Sequence, residues 1–524
     1  MKKRFATTIF AAVSIAGVYA QSATPVPRLV IGITVDQLRS DYLEAFSPLY
    51  GDRGFKRLLR EGRVYTNAQY PTANVDRASS VATVYTGTVP YNHGIVGEEW
   101  LDRASMRPVY CVDDFKYKGV GTSDYSSPKN ILVSTIGDEL KVATDGKAMV
   151  YAISPYRDMS VLAAGHAGDW AMWIDNSTGG WGGSTYYGDQ PGWLKYFDIN
   201  GIGRNISDYV WEPSNYVVGK FNYYVYGETS KSFKHKFNGD RKFRVFKNSA
   251  CVNGEVTKLA SFCLSNSGIG SDAIPDMLSL TYFAGRFDNK PMSECAMELQ
   301  DTYVRLDAEL ATLLDNIDKN VGLSNTLIFI TSTGYDHEDA GDISKYRIPT
   351  GELKINRCAA LLNMYLIAVY GQGQYVELYY GNNLYLNHKL IEDKQLNMKE
   401  VLERCEELLL QYTGVKDVYT SQRLMQGAWT PGISRIRNSY NPKCSGDIFI
   451  EVVPGWNLVN DDLLSSKYIR DSYFEFPLIF FGYGIKSDSI AEPVTVDCIA
   501  PTLTHFMRIR APNGCSSAPL TDVK

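Results

Sequence analysis

The sequence predicts an α/β fold: a doubly wound, mostly parallel sheet flanked by helices, with an inserted aromatic-rich cap. Three observations predict it. Apolar, β-branched runs such as Leu29 to Val35 suit strands buried on both faces. Such runs alternate with helical patterns across most of the chain. From about Gly179 to Ser271, glycine, tryptophan and tyrosine dominate and helical periodicity is lost, so this stretch reads as a cap over the sheet. The expected division is an export signal at 1–20, a core at 21–178 and 272–524, and a cap at 179–271.

At 524 residues the chain is too long for one ordinary core, and a large α/β body with an insertion accommodates it. A net charge of −5, from 53 basic and 58 acidic residues, carries no polyanion-binding signature and argues against nucleic acid as a partner. The 36 tyrosines and 8 tryptophans imply a broad aromatic surface whose rings need partly wet surroundings.

Lys2, Lys3 and Arg4, the apolar run Phe5 to Val18, and Ala20 before Gln21 read as a cleaved export signal. The mature chain is then periplasmic or secreted, with no later stretch long enough to span a membrane. The nine cysteines lack CxxC spacing. In an oxidising compartment the pairs Cys251 with Cys263, or Cys444 with Cys515, are the expected disulfides.

The first strand, Leu29 to Val35, ends on Asp36. At the C-terminal edge of an open α/β sheet that carboxylate either stands at the mouth of a site or caps the next segment, and this stretch leaves both readings open. Gly54 to Gly62 reads as a helix and Arg63 to Tyr70 as a strand. Asp76 to Tyr85 reads as a helix with Asp76 as N-cap and Gly87 as terminator, offering its free N–H groups to an anion. Ser134 to Thr144 is a helix and Lys147 to Ile153 a strand. Beyond the cap, Asp276 to Tyr282 and Thr326 to Thr331 are buried strands, and Glu294 to Ile317 is an amphipathic helix. Met398 to Tyr412 is a further helix, and Asp447 to Val453 and Pro477 to Phe481 are strand-like.

Six segments together resemble the alkaline phosphatase superfamily. They are VDQLRSDYL at Val35 to Leu43, VYTGTVPYNHGIVG at Val84 to Gly97, TIGDEL at Thr135 to Leu140, AGHAGDWAMWID at Ala164 to Asp175, DTYVRLDAELATLLD at Asp301 to Asp315, and IAPTLTHFMRIRAPNGC at Ile499 to Cys515. The likeness is to the branch of periplasmic phosphate-irrepressible alkaline phosphatases, related to the type I phosphodiesterases and nucleotide pyrophosphatases. It covers almost the whole mature chain. What the resemblance implies is two zinc ions held by Asp and His side chains, with a Thr or Ser attacking phosphorus between them. Hard carboxylates and neutral imidazoles suit that metal pair, which polarises the phosphoryl oxygens and activates the nucleophile.

Position by position, this chain departs from that pattern. Asp36 matches the first metal-binding Asp. The nucleophile position is Arg77, which cannot attack phosphorus. The family's Asp-x-x-x-His pair falls on Arg286 and Lys290, its Ala-Asp-His-Gly on Ser332 to Tyr335, and its last histidine on Glu475. The phosphate-gripping Lys-x-Arg falls on Tyr156 and Asp158, and an Asn on Glu99. With one of six ligands kept, no metal and no cofactor are expected, and the chain reads as a degenerate member or pseudoenzyme.

The replacements define a cluster of Asp36, Arg77, Arg286, Lys290 and Glu475. It reads as a salt-bridge cluster that stabilises the fold, ahead of a pocket holding a phosphate-like anion without hydrolysing it. The expected function is that of a binding or scaffold protein in the cell envelope. Its expected partner is another envelope protein or a glycan at the aromatic cap, and the opposing reading is that the rings only pack the cap against the sheet. The alternative class is an active metal-dependent phosphomonoesterase or phosphodiesterase with a rearranged zinc site, in which Asp336 and His337 supply a displaced ligand pair.

Overall fold

The computed structural model describes residues 25–215, 217–218, 232–337, 347, 349–427, 430–461 and 471–523. The export signal read at 1–20 lies outside them.

The central sheet has eleven strands. In chain order they are β1 (Leu29–Asp36), β2 (Arg63–Gln69), β3 (Gly119–Val120), β4 (Val150–Ile153), β5 (Trp170–Ile174), β6 (Trp181–Ser184), β7 (Asp276–Phe283), β8 (Thr326–Ser332), β9 (Phe476–Gly482), β10 (Asp488–Ile490) and β11 (Val494–Thr495). Across the sheet they run β10-β2-β9-β8-β1-β7-β4-β5-β6-β3, with β11 also paired to β2. β1 lies in the middle, parallel to both β7 and β8. β7, β4 and β5 continue the parallel block, and β9 and β6 run antiparallel at its sides.

All eight residues of β1 are buried. Leu29, Ile31, Ile33 and Val35 enter one core and Val30 enters the other, the period-two alternation of a strand covered on both faces. Gly32 interrupts the β-branched run for a steric reason: a Cβ there would lie 2.6 Å from the Tyr85 hydroxyl and 2.7 Å from the Phe329 ring.

On the Val30 face pack α1 (Arg77–Thr86), α2 (Ile136–Ala143), α3 (Arg157–Ala164) and α6 (Ile499–Met507), through Val81, Tyr85, Leu140, Leu162 and Leu503. On the other face lie α4 (Cys251–Asn266) and α5 (Met292–Asn320), through Val256, Leu259, Tyr303 and Leu310.

Three expectations are corrected here. Helical periodicity is not lost throughout 179–271: α4 occupies its last part, and β6 at its start joins the central sheet. Trp181, Trp193, Trp211, Phe233, Phe237, Phe243 and Phe246 are buried in the same core as β1, so these rings fasten the segment to the sheet. The strand at Ile448–Val452 does not enter the central sheet. It pairs with Asn383–Leu386 and Val415–Thr420 in a separate four-stranded sheet completed by Val376–Tyr380, backed by helices Ile355–Tyr370 and Met398–Leu409 around a core that includes Leu362, Leu366, Val401 and Ile448. Finally, all nine cysteines are free. Cys251 and Cys263 stand at the two ends of α4, about 18 Å apart along a helix rising ~1.5 Å per residue, far beyond disulfide reach.

Candidate functional site

The C-terminal ends of β1 and β8 and the first turns of α1 and α3 meet at one place. Asp36 closes β1, fully buried. Its backbone leads into Gln37, whose φ of 62° turns the chain sharply out of the strand. Thr333, just past β8, fixes this turn: its Oγ1 accepts the Gln37 N–H at 2.8 Å and donates to Asp36 Oδ1 at 3.1 Å. Burial pushes the Asp36 carboxyl up to about 6; the Arg77 guanidinium and the Thr333 hydroxyl pull it back, and Asp158 adds to the rise.

Arg77 is the first residue of α1. Its Nη2 donates to Glu98 Oε2 at 2.8 Å, its Nε lies 3.6 Å from Asp158 Oδ2, and its guanidinium carbon sits 4.2 Å from the centre of the Tyr156 ring. Burial works against its charge, but Glu98, Asp158, Tyr335 and Asp36 outweigh it and hold the guanidinium well above its ordinary value. Glu98 is pushed up to about 8 by burial and by Asp158, Asp76 and Asp36, against the pull of Arg77. Asp158, in the first turn of α3, is fully buried. Behind it stands Lys247, whose Nζ donates to the Ile174 carbonyl at 3.3 Å; burial and Arg77 lower it to about 8.

The N-terminus of α1 is occupied by the chain's own anion. Asp76 Oδ1 accepts the Ser79 N–H at 2.9 Å and the Ser79 hydroxyl at 2.8 Å, and its Oδ2 accepts the Glu98 N–H at 2.5 Å. Of the N–H groups expected to stay open to an outside anion, that of Ser79 is therefore taken by Asp76.

The predicted cluster divides. Asp36 and Arg77 share one electrostatic neighbourhood. Arg286 goes to Asp336, with Nε 3.5 Å from Oδ1, and Arg39 takes the other oxygen at 3.1 Å while also bonding Asp41. The Arg39 guanidinium lies between the rings of Tyr42 and Phe474. Lys290 lies 5.4 Å from the Phe287 ring centre. Glu475 is exposed and accepts the Ser40 N–H through its backbone carbonyl. His337 closes a short strand, Tyr335–His337, next to Asp471–Tyr473. Glu99 turns away from the cluster to take the Tyr380 hydroxyl at 2.6 Å.

Sequence reasoning missed Glu98 and Lys247; it noted Tyr335 only as part of the segment replacing the family's Ala-Asp-His-Gly, and Asp158 only as the place of a lost family arginine. That arginine's position was the available signal: a carboxylate there calls for a new cation, and Arg77 is one.

Chemically, Arg77 sits among the acidic side chains of Glu98, Asp158 and Asp36, which hold its charge in place. Among the described residues, no three Asp, Glu, His or Cys side chains converge as metal donors. Asp36 and Asp336 lie beside guanidinium groups of the same chain, Asp36 beside Arg77 and Asp336 beside Arg286 and Arg39.

Comparison with known proteins places this geometry. The Type I phosphodiesterase / nucleotide pyrophosphatase family profile matches residues 30–472. The alkaline phosphatase PafA of Elizabethkingia meningoseptica is 28% identical over 97% of this chain and 96% of its own. A Myroides odoratus protein named calcium-transporting ATPase is 29% identical over 95% and 94%. The alkaline phosphatase PhoV of Synechococcus elongatus is 27% identical over 95% and 93%. The crystal structure of PafA superposes with a TM-score of 0.83, covering 96% of this chain and 99% of that one at 27% identity. The expectation of no cofactor is corrected by these relatives. Similarity to alkaline phosphatases over nearly the whole chain makes zinc the cofactor to supply and test.

Proposed function

The chain belongs to the type I phosphodiesterase/nucleotide pyrophosphatase family, and from that premise we propose that it is an exported phosphoesterase-fold protein that no longer hydrolyses phosphoesters by the family's route. It acts instead as a binding or scaffold protein of the cell envelope. One observation carries this reading: Arg77, at the position that the resemblance assigns to the nucleophile, is held by Glu98 at 2.8 Å and Asp158 at 3.6 Å. A guanidinium has no nucleophilic oxygen to offer, and its charge is spent on its own chain's carboxylates. The carboxylates of Asp36 and Asp158 beside Arg77 disfavour a stored phosphate, because they repel it. Export rests on the charged and apolar leader at 1–20. Among the described residues, no helix is long and apolar enough to cross a membrane.

The competing reading is an active metal-dependent phosphomonoesterase or phosphodiesterase with a rearranged site, and the names of the relatives favour it. Assay of the full-length purified protein with zinc supplied, on an aryl phosphate and an aryl phosphodiester, separates the two. The proposal expects no turnover above the blank for either substrate. Saturable, zinc-dependent turnover abolished by Asp36→Asn would overturn it.

A further inference from the structure

Away from the Arg77 pocket, an arginine and a histidine share one carboxylate. The strands Glu99–Asp102 and Arg107–Tyr110 pair as a hairpin that forms a two-stranded sheet of its own. Such a ribbon is marginal by itself, and this one is tied to the smaller sheet by polar contacts at both ends. At its start Glu99 takes the Tyr380 hydroxyl at 2.6 Å. At its turn Arg103 gives its two terminal nitrogens to Asp447, at 3.0 and 3.2 Å, and one of them also to the Ser445 carbonyl at 3.0 Å. The His388 ring reaches the same carboxylate: its Nε2 lies 2.8 Å from Asp447 Oδ1 and 3.5 Å from Arg103 Nη1. To donate to Asp447 that nitrogen must carry a proton, and it then has no lone pair for Arg103. A further proton goes to Nδ1, on a side chain that is 56% exposed.

We propose that this hairpin is a pH-sensitive strap: when the His388 ring takes up its second proton, the imidazolium displaces the Arg103 guanidinium from Asp447, and the turn of the hairpin releases the smaller sheet. The linkage follows from where the charges stand. Asp447 and, more weakly, Glu377 hold the His388 ring above its ordinary 6.5, while burial and Arg103 pull it down. Release takes Arg103 away, so the released form binds the proton more tightly and acidification favours it. The other charges nearby do not reverse that sign. Exposed Lys389, Glu392 and Asp393 sit on the ring's own helix, His388–Asp393, and stay with it in both forms. Asp102, which accepts the Ser105 N–H at 2.9 Å, and exposed Arg107 leave with the hairpin as one opposite pair. Tyr385, whose ring centre is 5.1 Å from the Arg103 guanidinium carbon, belongs to the smaller sheet and remains. Glu98, which holds Arg77 at 2.8 Å, directly precedes the hairpin and ties the strap to that pocket. The strap works in the same way whether or not the pocket hydrolyses anything.

Hydrogen exchange of the intact protein, read by mass spectrometry at about pH 7.5 and about pH 5.5 and corrected for the intrinsic pH dependence of amide exchange, tests it. The expected result is that peptides covering 99–110 exchange about fivefold faster at the lower pH, the worth of two like unit charges about 4 Å apart in a water-like medium. Peptides from β1 and β7 keep their protection at both. His388→Gln still donates to Asp447 but takes up no proton, so its hairpin should stay protected at both pH values. Arg103→Gln should leave the hairpin fast at both. The His388 side chain is largely exposed, so an unchanged thermal midpoint accompanies its replacement. A hairpin that exchanges alike at the two pH values, an equal pH response in His388→Gln, or a loss of protection shared with β1 and β7 overturns the proposal.

Discussion

Arg77 Nη2 donates to Glu98 Oε2 at 2.8 Å, joining the first turn of α1 to a residue 21 positions later, just before the strand Glu99–Asp102. This contact and the 3.6 Å approach to Asp158 organise the pocket at the end of β1. Removing the cation leaves the carboxylates facing one another. Arg77→Met should therefore destabilise the protein by about 3 kcal/mol, the low end for breaking a buried pair because the Glu98 side chain is 32% exposed. Combining it with Asp158→Asn should cost less than the sum of the two single changes. Urea unfolding of the four proteins measures both; strict additivity would remove the pairing.

Glu98 also sets a pH dependence. Its value in the folded protein, about 8, lies above its ordinary 4.5, so the folded state binds its proton more tightly than the unfolded chain does. The stability from that proton is complete below 4.5 and is lost as pH rises through about 8. The urea midpoint should fall across this window, and Glu98→Gln, which cannot titrate, should flatten the fall. An equal slope in the variant counts against the assignment.

Trp211 tests how firmly the aromatic segment is tied to the body. Its indole N–H donates to Asp301 Oδ2 at 2.6 Å, and Asp301 also takes the Ser214 N–H and the Arg305 side chain. Trp211→Phe keeps a ring but leaves that acceptor short of a donor, a loss of about 1–3 kcal/mol. Trp211→Ala adds a cavity and should cost about 3–5 kcal/mol. Calorimetric midpoints should fall in that order; midpoints that do not move would mean that the ring packs only the segment itself.

Asp447 latches the smaller sheet to the main body. Its two oxygens receive both terminal nitrogens of Arg103, at 3.0 and 3.2 Å, and also the His388 ring and the Leu386 N–H. Asp447→Ala leaves the Arg103 guanidinium, which is 27% exposed, with the Ser445 carbonyl but no carboxylate, and should cost about 3 kcal/mol. Limited proteolysis should then cut faster between residues 376 and 452, with the central sheet still resistant.

The sequence by itself determined what depends on neighbours along the chain. The mostly apolar, β-branched run fixed β1 as a strand covered on both faces, and Asp76 as N-cap fixed the start of α1. Segments in family order fixed the architecture from Arg28 to Cys515. Each of these signals is local, because strand alternation, helix capping and short motifs act over a few residues.

Tertiary structure alone decided the partners. Asp36 looked like the natural counter-ion of Arg286, yet Arg286 pairs with Asp336, and Arg77 meets Glu98 and Asp158 as well as lying near Asp36. Lys247, 170 positions beyond Arg77, stands behind the same carboxylates. A charge names no partner in sequence; which opposite charge it finds depends on the side chains that the packed elements bring within a few ångströms of it, and on how much water that packing removes.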